Sequence, residues 1–110
     1  MPNVKSPFAR WFNRLDRQAT ARVATALYRM EMGSLSNAKG VGGGVLEYRI
    51  DLGPGYRIYF GRDGDALIIL LGGGTKVRQQ RDIEAAVALW REYRRGKRQE
   101  GWGHAIDARL

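Results

Sequence analysis

Arg49 and Arg57 flank the run Gly53-Pro54-Gly55, each within a segment of β-branched and aromatic residues: Val45-Leu46-Glu47-Tyr48-Arg49-Ile50 on one side, Tyr56-Arg57-Ile58-Tyr59-Phe60 on the other. Folded back on each other as antiparallel strands, the two segments bring both guanidinium groups close together. A guanidinium is always charged and offers a planar fork to phosphate oxygens, so the pair is suited to a phosphodiester. Lys76 and Arg78 follow a third apolar segment and are placed to reach the same face. Glu47 shares a strand face with Arg49 under the two-residue period, either as a proton acceptor or as an ion-pair partner of Arg49 or Arg57. Chemistry at a phosphodiester needs a proton acceptor, cations for the crowded phosphate and a proton for the leaving oxygen. The cations are plentiful, and the acceptor is the scarce part. The chain's one histidine, His104, sits in a glycine-flanked tail and is read as a bystander. Tyr56 and Tyr59 are candidate stacking rings, both assigned by alternation to the face opposite Arg57, with Tyr59 the more core-like.

The elements that must hold these residues follow from local patterns. Ser6-Pro7 is a helix entry, Phe8, Trp11, Phe12 and Leu15 keep helical spacing, and Asp16 can cap or punctuate. Ala19, Val23, Ala26, Leu27 and Met30 then form a stripe up to Gly33, so residues 7 to 32 are two helices or one broken helix. Arg10, Arg14, Arg17, Arg22 and Arg29 make a solvated outer face. Residues 33 to 44, rich in Gly, Ser and Asn and carrying Lys39, are expected to be a flexible connection. No helix with Lys-Ser or Lys-Thr follows the glycines, so a nucleotide-binding loop is not indicated.

Three strands are expected over about 45–52, 56–62 and 66–72, with Pro54-Gly55 as the central pair of the first turn and Asp63-Gly64 marking the second. The third segment, Ala66-Leu67-Ile68-Ile69-Leu70-Leu71, is apolar at every position and reads as a central strand buried on both faces. A helix over about 82–94 should follow, capped by Asp82, with Ile83, Val87, Leu89, Trp90 and Tyr93 inward.

With 110 residues and 12.4 kDa, the chain fits one small domain with a modest core. Nineteen Lys and Arg against eleven Asp and Glu give a net charge of +8 and a pI near 10.4, which favours a polyanionic or acidic partner. The lack of cysteine removes disulfides, thiolate metal sites and a cysteine nucleophile. With no apolar run of membrane-spanning length and no secretory-type N-terminus, the reading is cytoplasmic.

The order of two helices, an antiparallel run of strands and a final helix, with Gly53 to Tyr59 between the first strands, resembles the RelE/ParE superfamily of toxin–antitoxin toxins, and more narrowly its HigB-like addiction module killer branch. The similarity is carried by Phe8, Trp11, Leu15, Ala21-Arg22-Val23, Lys39, Val41, Gly42, Gly44, Val45, Glu47, Arg49, Ile50, Gly53 to Tyr59, Leu70-Leu71, Gly73-Gly74, Lys76, Gln80, Asp82-Ile83 and Ala86. It implies a RelE-like α+β fold in which two N-terminal helices pack on a small antiparallel sheet of three to four strands, followed by a C-terminal helix. The domain would span residues 1–95, with 96–110 a basic, mobile extension and Asn3-Val4-Lys5 the remnant of a first edge strand. The function implied is a ribosome-dependent mRNA endoribonuclease, neutralised by a helix-turn-helix antitoxin and needing no cofactor or metal. Arg57, Lys76, Arg49 and Glu47 would be catalytic, with Lys39, Tyr56 and Arg78 contacting RNA. The superfamily also contains DNA gyrase inhibitors, and a non-catalytic antitoxin-binding relic is the third alternative.

Overall fold

The starts of the first two helices are fixed by side-chain oxygens. The backbone N–H of Ala9 donates to Ser6 Oγ at 3.3 Å and that of Ala19 to Asp16 Oδ1 at 2.8 Å, each satisfying a donor that the first helical turn leaves open. In the computed structural model, which describes residues 6–65 and 67–96 together with the backbone of 104–107, these caps open α1 (Pro7–Phe12) and α2 (Arg17–Glu31). The strands are β1 (Ala38–Gly42), β2 (Val45–Ile50), β3 (Tyr56–Asp63) and β4 (Leu67–Thr75). A 3₁₀ turn (Lys76–Arg78) leads into α3 (Gln79–Arg95), and β5 (His104–Asp107) ends the fold.

The architecture is α+β: β1 to β4 form an antiparallel meander in chain order, and β5 adds to the free side of β4. Alternation along the strands divides the core in two. Tyr48, Ile50, Ile58, Phe60, Ile68 and Leu70 meet Phe8 of α1 and Val23, Ala26 and Met30 of α2. On the opposite face Val45, Tyr59, Ile69 and Leu71 meet Ala86 and Trp90 of α3. Because β4 feeds both layers, it is apolar at successive positions, as its sequence suggested.

Several boundaries differ from expectation. The glycine-rich segment contains β1, whose Lys39-Gly40-Val41-Gly42 has little strand propensity of its own; pairing with β2 holds it extended. The turn after β2 is centred on Gly53-Pro54 rather than Pro54-Gly55: the Gly55 N–H donates to Leu52 O at 2.9 Å, with Gly53 at φ +51°, where a side chain would be strained. Strand β4 runs through the glycines to Thr75, with a bulge that leaves Leu71 unpaired between the pairs Phe60–Leu70 and Tyr59–Gly72. Helix α3 begins at Gln79, so Asp82 lies in its first turn instead of capping it. In the tail expected to be mobile, His104–Asp107 pair with Leu67–Leu70. The edge strand expected at Asn3-Val4-Lys5 lies outside the described residues.

Candidate functional site

The register makes Arg49 and Arg57 direct cross-strand partners. Their side chains lie on the α3 face, since Tyr48 and Ile50 on one strand and Ile58 on the other point to the α1/α2 core. Glu47, one period before Arg49, is completely buried on that same face, and Arg57 is 3% exposed. The Glu47 carboxylate lies with Oε2 3.5 Å from Arg57 Nε and Oε1 4.0 Å from Arg49 Nε. Gln79, at the start of α3, donates from Nε2 to Glu47 Oε2 at 2.8 Å. On its far side Arg57 donates from Nη1 to the carbonyl of Gly55 at 2.8 Å. One guanidinium is therefore held between a buried carboxylate and the turn that precedes its strand.

Arg57 lines a cleft of about 530 Å³, together with Arg49, Lys76, Tyr56, Asp51 and the turn glycines. Tyr56 projects to the α1 side, its ring 6.5 Å from that of Trp11, so it is half packed and half presented to the cleft. A second cleft of about 440 Å³ shares Asn37, Arg49, Ile50 and Asp51 with the first and extends to Arg22 and Arg29 of α2. Asp51 supplies the clefts' carboxylate among the described residues.

The structure thus brings together Arg49, Arg57, Lys76 and Tyr56. Glu47 belongs to the cluster as the support of Arg57: with no exposed surface, it is not presented to a molecule arriving from solvent. Lys39 is exposed on β1 and Arg78 is exposed beside α3, and neither lines the cleft. Tyr59 requires a correction: two residues from Arg57, it shares Arg57's face and packs under α3, while Tyr56 alone is opposite. The His104 side chain lies outside the described residues. Asp51 and Gln79 were missed. Asp51 continues the two-residue series Glu47, Arg49, Asp51 and was legible on that ground; Gln79 becomes relevant only through the docking of α3.

Electrostatics separate a fixed interior from a working surface. The Tyr59 hydroxyl is buried beside Glu47. Burial first, then the charges of Glu47 and Asp82, push its pKa well above the ordinary phenol value, and Arg57 only partly offsets them. Tyr59 is accordingly a neutral wall of the ion pair. Asp82 is pushed up by burial and pulled back by Arg78 and Arg81. The exposed groups are Arg49, Lys76 and Asp51: two cations and a carboxylate around the fixed fork of Arg57. Such a set can hold a phosphate and offers one solvent-accessible proton acceptor.

No helix among the described residues is long and apolar enough to cross a membrane. No family model matches the chain, and no solved structure matches it. An uncharacterized protein of Haemophilus influenzae is 37% identical over 86 residues, an alignment covering 77% of this chain and 87% of the relative. At that identity and coverage, the chain belongs to the same protein family as this Haemophilus protein.

Proposed function

We propose that this protein is a RelE/ParE-type toxin that cleaves messenger RNA on the ribosome, with the Arg49–Arg57–Lys76 cleft as its phosphate site. The observation that carries the reading is the fixed guanidinium of Arg57, buried against Glu47, tied to Gly55 and lining an open cleft with two further cations. A positioned cation acts on a phosphate transition state without paying for reorganisation, which is what phosphoryl chemistry asks of a protein. In this reading Arg57 and Arg49 hold the scissile phosphate, Tyr56 stacks a base and Asp51 takes the proton of the 2′-OH as its oxygen bonds to phosphorus; the P–O5′ bond breaks, and the departing 5′-oxygen, its charge stabilised by Lys76, takes a proton from the Lys76 ammonium or from water. The +8 charge suits both RNA and an acidic, helix-turn-helix antitoxin acting with it in the cytoplasm.

Induction of the chain without its antitoxin, followed by mapping of transcript 5′ ends, tests the reading. Codon-linked cuts that disappear in the Arg49→Gln/Lys76→Gln variant are expected, because both residues are exposed and their loss leaves the fold intact. DNA damage without RNA cuts would instead assign the protein to the gyrase-inhibiting side of the superfamily, and harmless induction would make it an antitoxin-binding relic.

A further inference from the structure

The second cleft has no role in the chemistry at Arg57, yet its composition is as one-sided as that of the first. Arg22 and Arg29 lie two turns apart on α2 and therefore on one helix face. Both line the cleft with Thr25 between them, Asn37 opposite and Arg49 at the junction with the first cleft. Arg22 Nη2 donates to the main-chain carbonyl of Asp51 at 3.4 Å, which draws that exposed guanidinium over the strand end. Both ion pairs among the described residues go to Glu47, so Arg22 and Arg29 have no carboxylate partner there. Three arginines thus line one concavity against the single carboxylate of Asp51. Charges so arranged repel one another until an anion enters.

We infer that this cleft is a subsite for a further phosphate of the same single-stranded RNA whose scissile phosphate sits at Arg57. The inference rests on the reading of the first cleft as an RNA site. Because Arg49, Ile50, Asp51 and Asn37 border both clefts, a backbone leaving the first cleft passes directly into the second. Arg49, with its side chain 57% exposed, can follow either phosphate. The arginine face of α2, expected from sequence to be merely solvated, thereby acquires a ligand at two of its positions. An RNA strand is favoured over an acidic peptide because the continuous groove also presents the Tyr56 ring for base stacking.

The test is anisotropy titration of a fluorescein-labelled eight-nucleotide oligouridylate over a range of salt concentrations. The proteins compared are the wild type, Arg22→Gln/Arg29→Gln, Lys76→Gln, and the charge-matched control Arg91→Gln/Arg95→Gln on α3. Each phosphate contact to a single strand contributes about 0.7 to the slope of log K against log salt. The Arg22→Gln/Arg29→Gln slope should be shallower by about 1.4, again from two contacts. The control should keep the wild-type slope. Equal loss in both double variants would overturn the subsite, since net charge alone would explain it. A Lys76→Gln effect without an Arg22→Gln/Arg29→Gln effect would overturn the subsite while leaving the reading of the first cleft standing. Absence of RNA binding by the wild type would overturn that reading itself. Loss of polyglutamate binding in Arg22→Gln/Arg29→Gln with RNA binding unchanged would reassign the cleft to an acidic protein segment.

Discussion

Glu47 and Arg57 form a buried ion pair beside the cleft, which Arg57 lines, with Oε2 of one 3.5 Å from Nε of the other. Removing one partner of such a pair strands the other's charge in the interior, at a cost of roughly 3–5 kcal/mol. Glu47→Ala is therefore expected to lower the stability measured by urea denaturation by about 3 kcal/mol or more. Arg49→Ala, which removes an exposed side chain 4.0 Å from the same carboxylate, should change it by no more than about 0.5 kcal/mol. The consequence for function is practical: Arg57→Ala confounds catalysis with folding, and Arg57→Lys, which keeps the charge but loses the fork, is the cleaner probe. Equal stability of Glu47→Ala and Arg49→Ala would show that the pair does not hold the cleft.

The closeness of Arg49 and Arg57 was legible because a turn joins two alternating segments, but their direct pairing was not, since the turn is centred on Gly53-Pro54 and not on the expected Pro54-Gly55, and the turn sets the register. The capped helices α1 and α2 were legible for a similar reason, since Ser6 and Asp16 act within a few residues of themselves. What escaped depended on distant partners. Glu47 looks like an available carboxylate until α3 covers it and Gln79 donates to it from 32 positions along the chain. Strand β1 has too many glycines to declare itself and exists through β2. Asp51 was hidden in plain view, because a strand end next to a turn draws the eye to the turn.

Gly72 and Gly73 look interchangeable in sequence and are not. A Cβ on Gly73 would enter the ring of Trp11, which packs over β4, whereas nothing lies within 4 Å of the same position at Gly72. Gly73→Ala should destabilise by roughly 1–3 kcal/mol through overpacking. Gly72→Ala should melt within a few degrees of the wild type. Thermal unfolding of the two variants, followed by circular dichroism, checks the contrast; equal melting temperatures would mean that α1 is not seated on β4 as described.

Tyr93 anchors the end of α3 to the end of β3 by donating to Asp63 Oδ2 at 2.8 Å. Burial, followed by the bond to Asp63 and that residue's charge, pushes its pKa from 10.0 up to about 12. A folded-state pKa above the unfolded value means that the group's contribution is fully present below pH 10 and is lost as pH rises through about 12. Tyr93→Phe should lose roughly 1.5–3 kcal/mol at neutral pH, the worth of a hydrogen bond to a charged group. The gap between wild type and variant should then close across that alkaline window. Tyr59 titrates in both proteins and does not enter the difference. A gap independent of pH up to 12 would remove the Tyr93 hydroxyl as its cause.

Asp51 separates two accounts of the cleft. If its carboxylate serves only to balance the surrounding cations, Asp51→Asn leaves the cleft more positive, and RNA should bind more tightly and be cut at least as fast. If it takes the 2′-OH proton, binding of a 2′-deoxy substrate analogue should hold or tighten while the rate of cleavage on programmed ribosomes falls by about 10²–10⁴, the usual contribution of a positioned general base. The amide cannot accept that proton at neutral pH. Stability should stay within about 0.5 kcal/mol of the wild type, because the side chain is exposed. The anchoring bond from Arg22 goes to the Asp51 main-chain carbonyl and survives the substitution. Asp65→Asn, equally exposed but at the distant β3–β4 turn, controls for the loss of one negative charge. A cleavage rate in Asp51→Asn equal to that in Asp65→Asn would exclude Asp51 as the proton acceptor and leave the phosphate-binding role of Arg57 untouched.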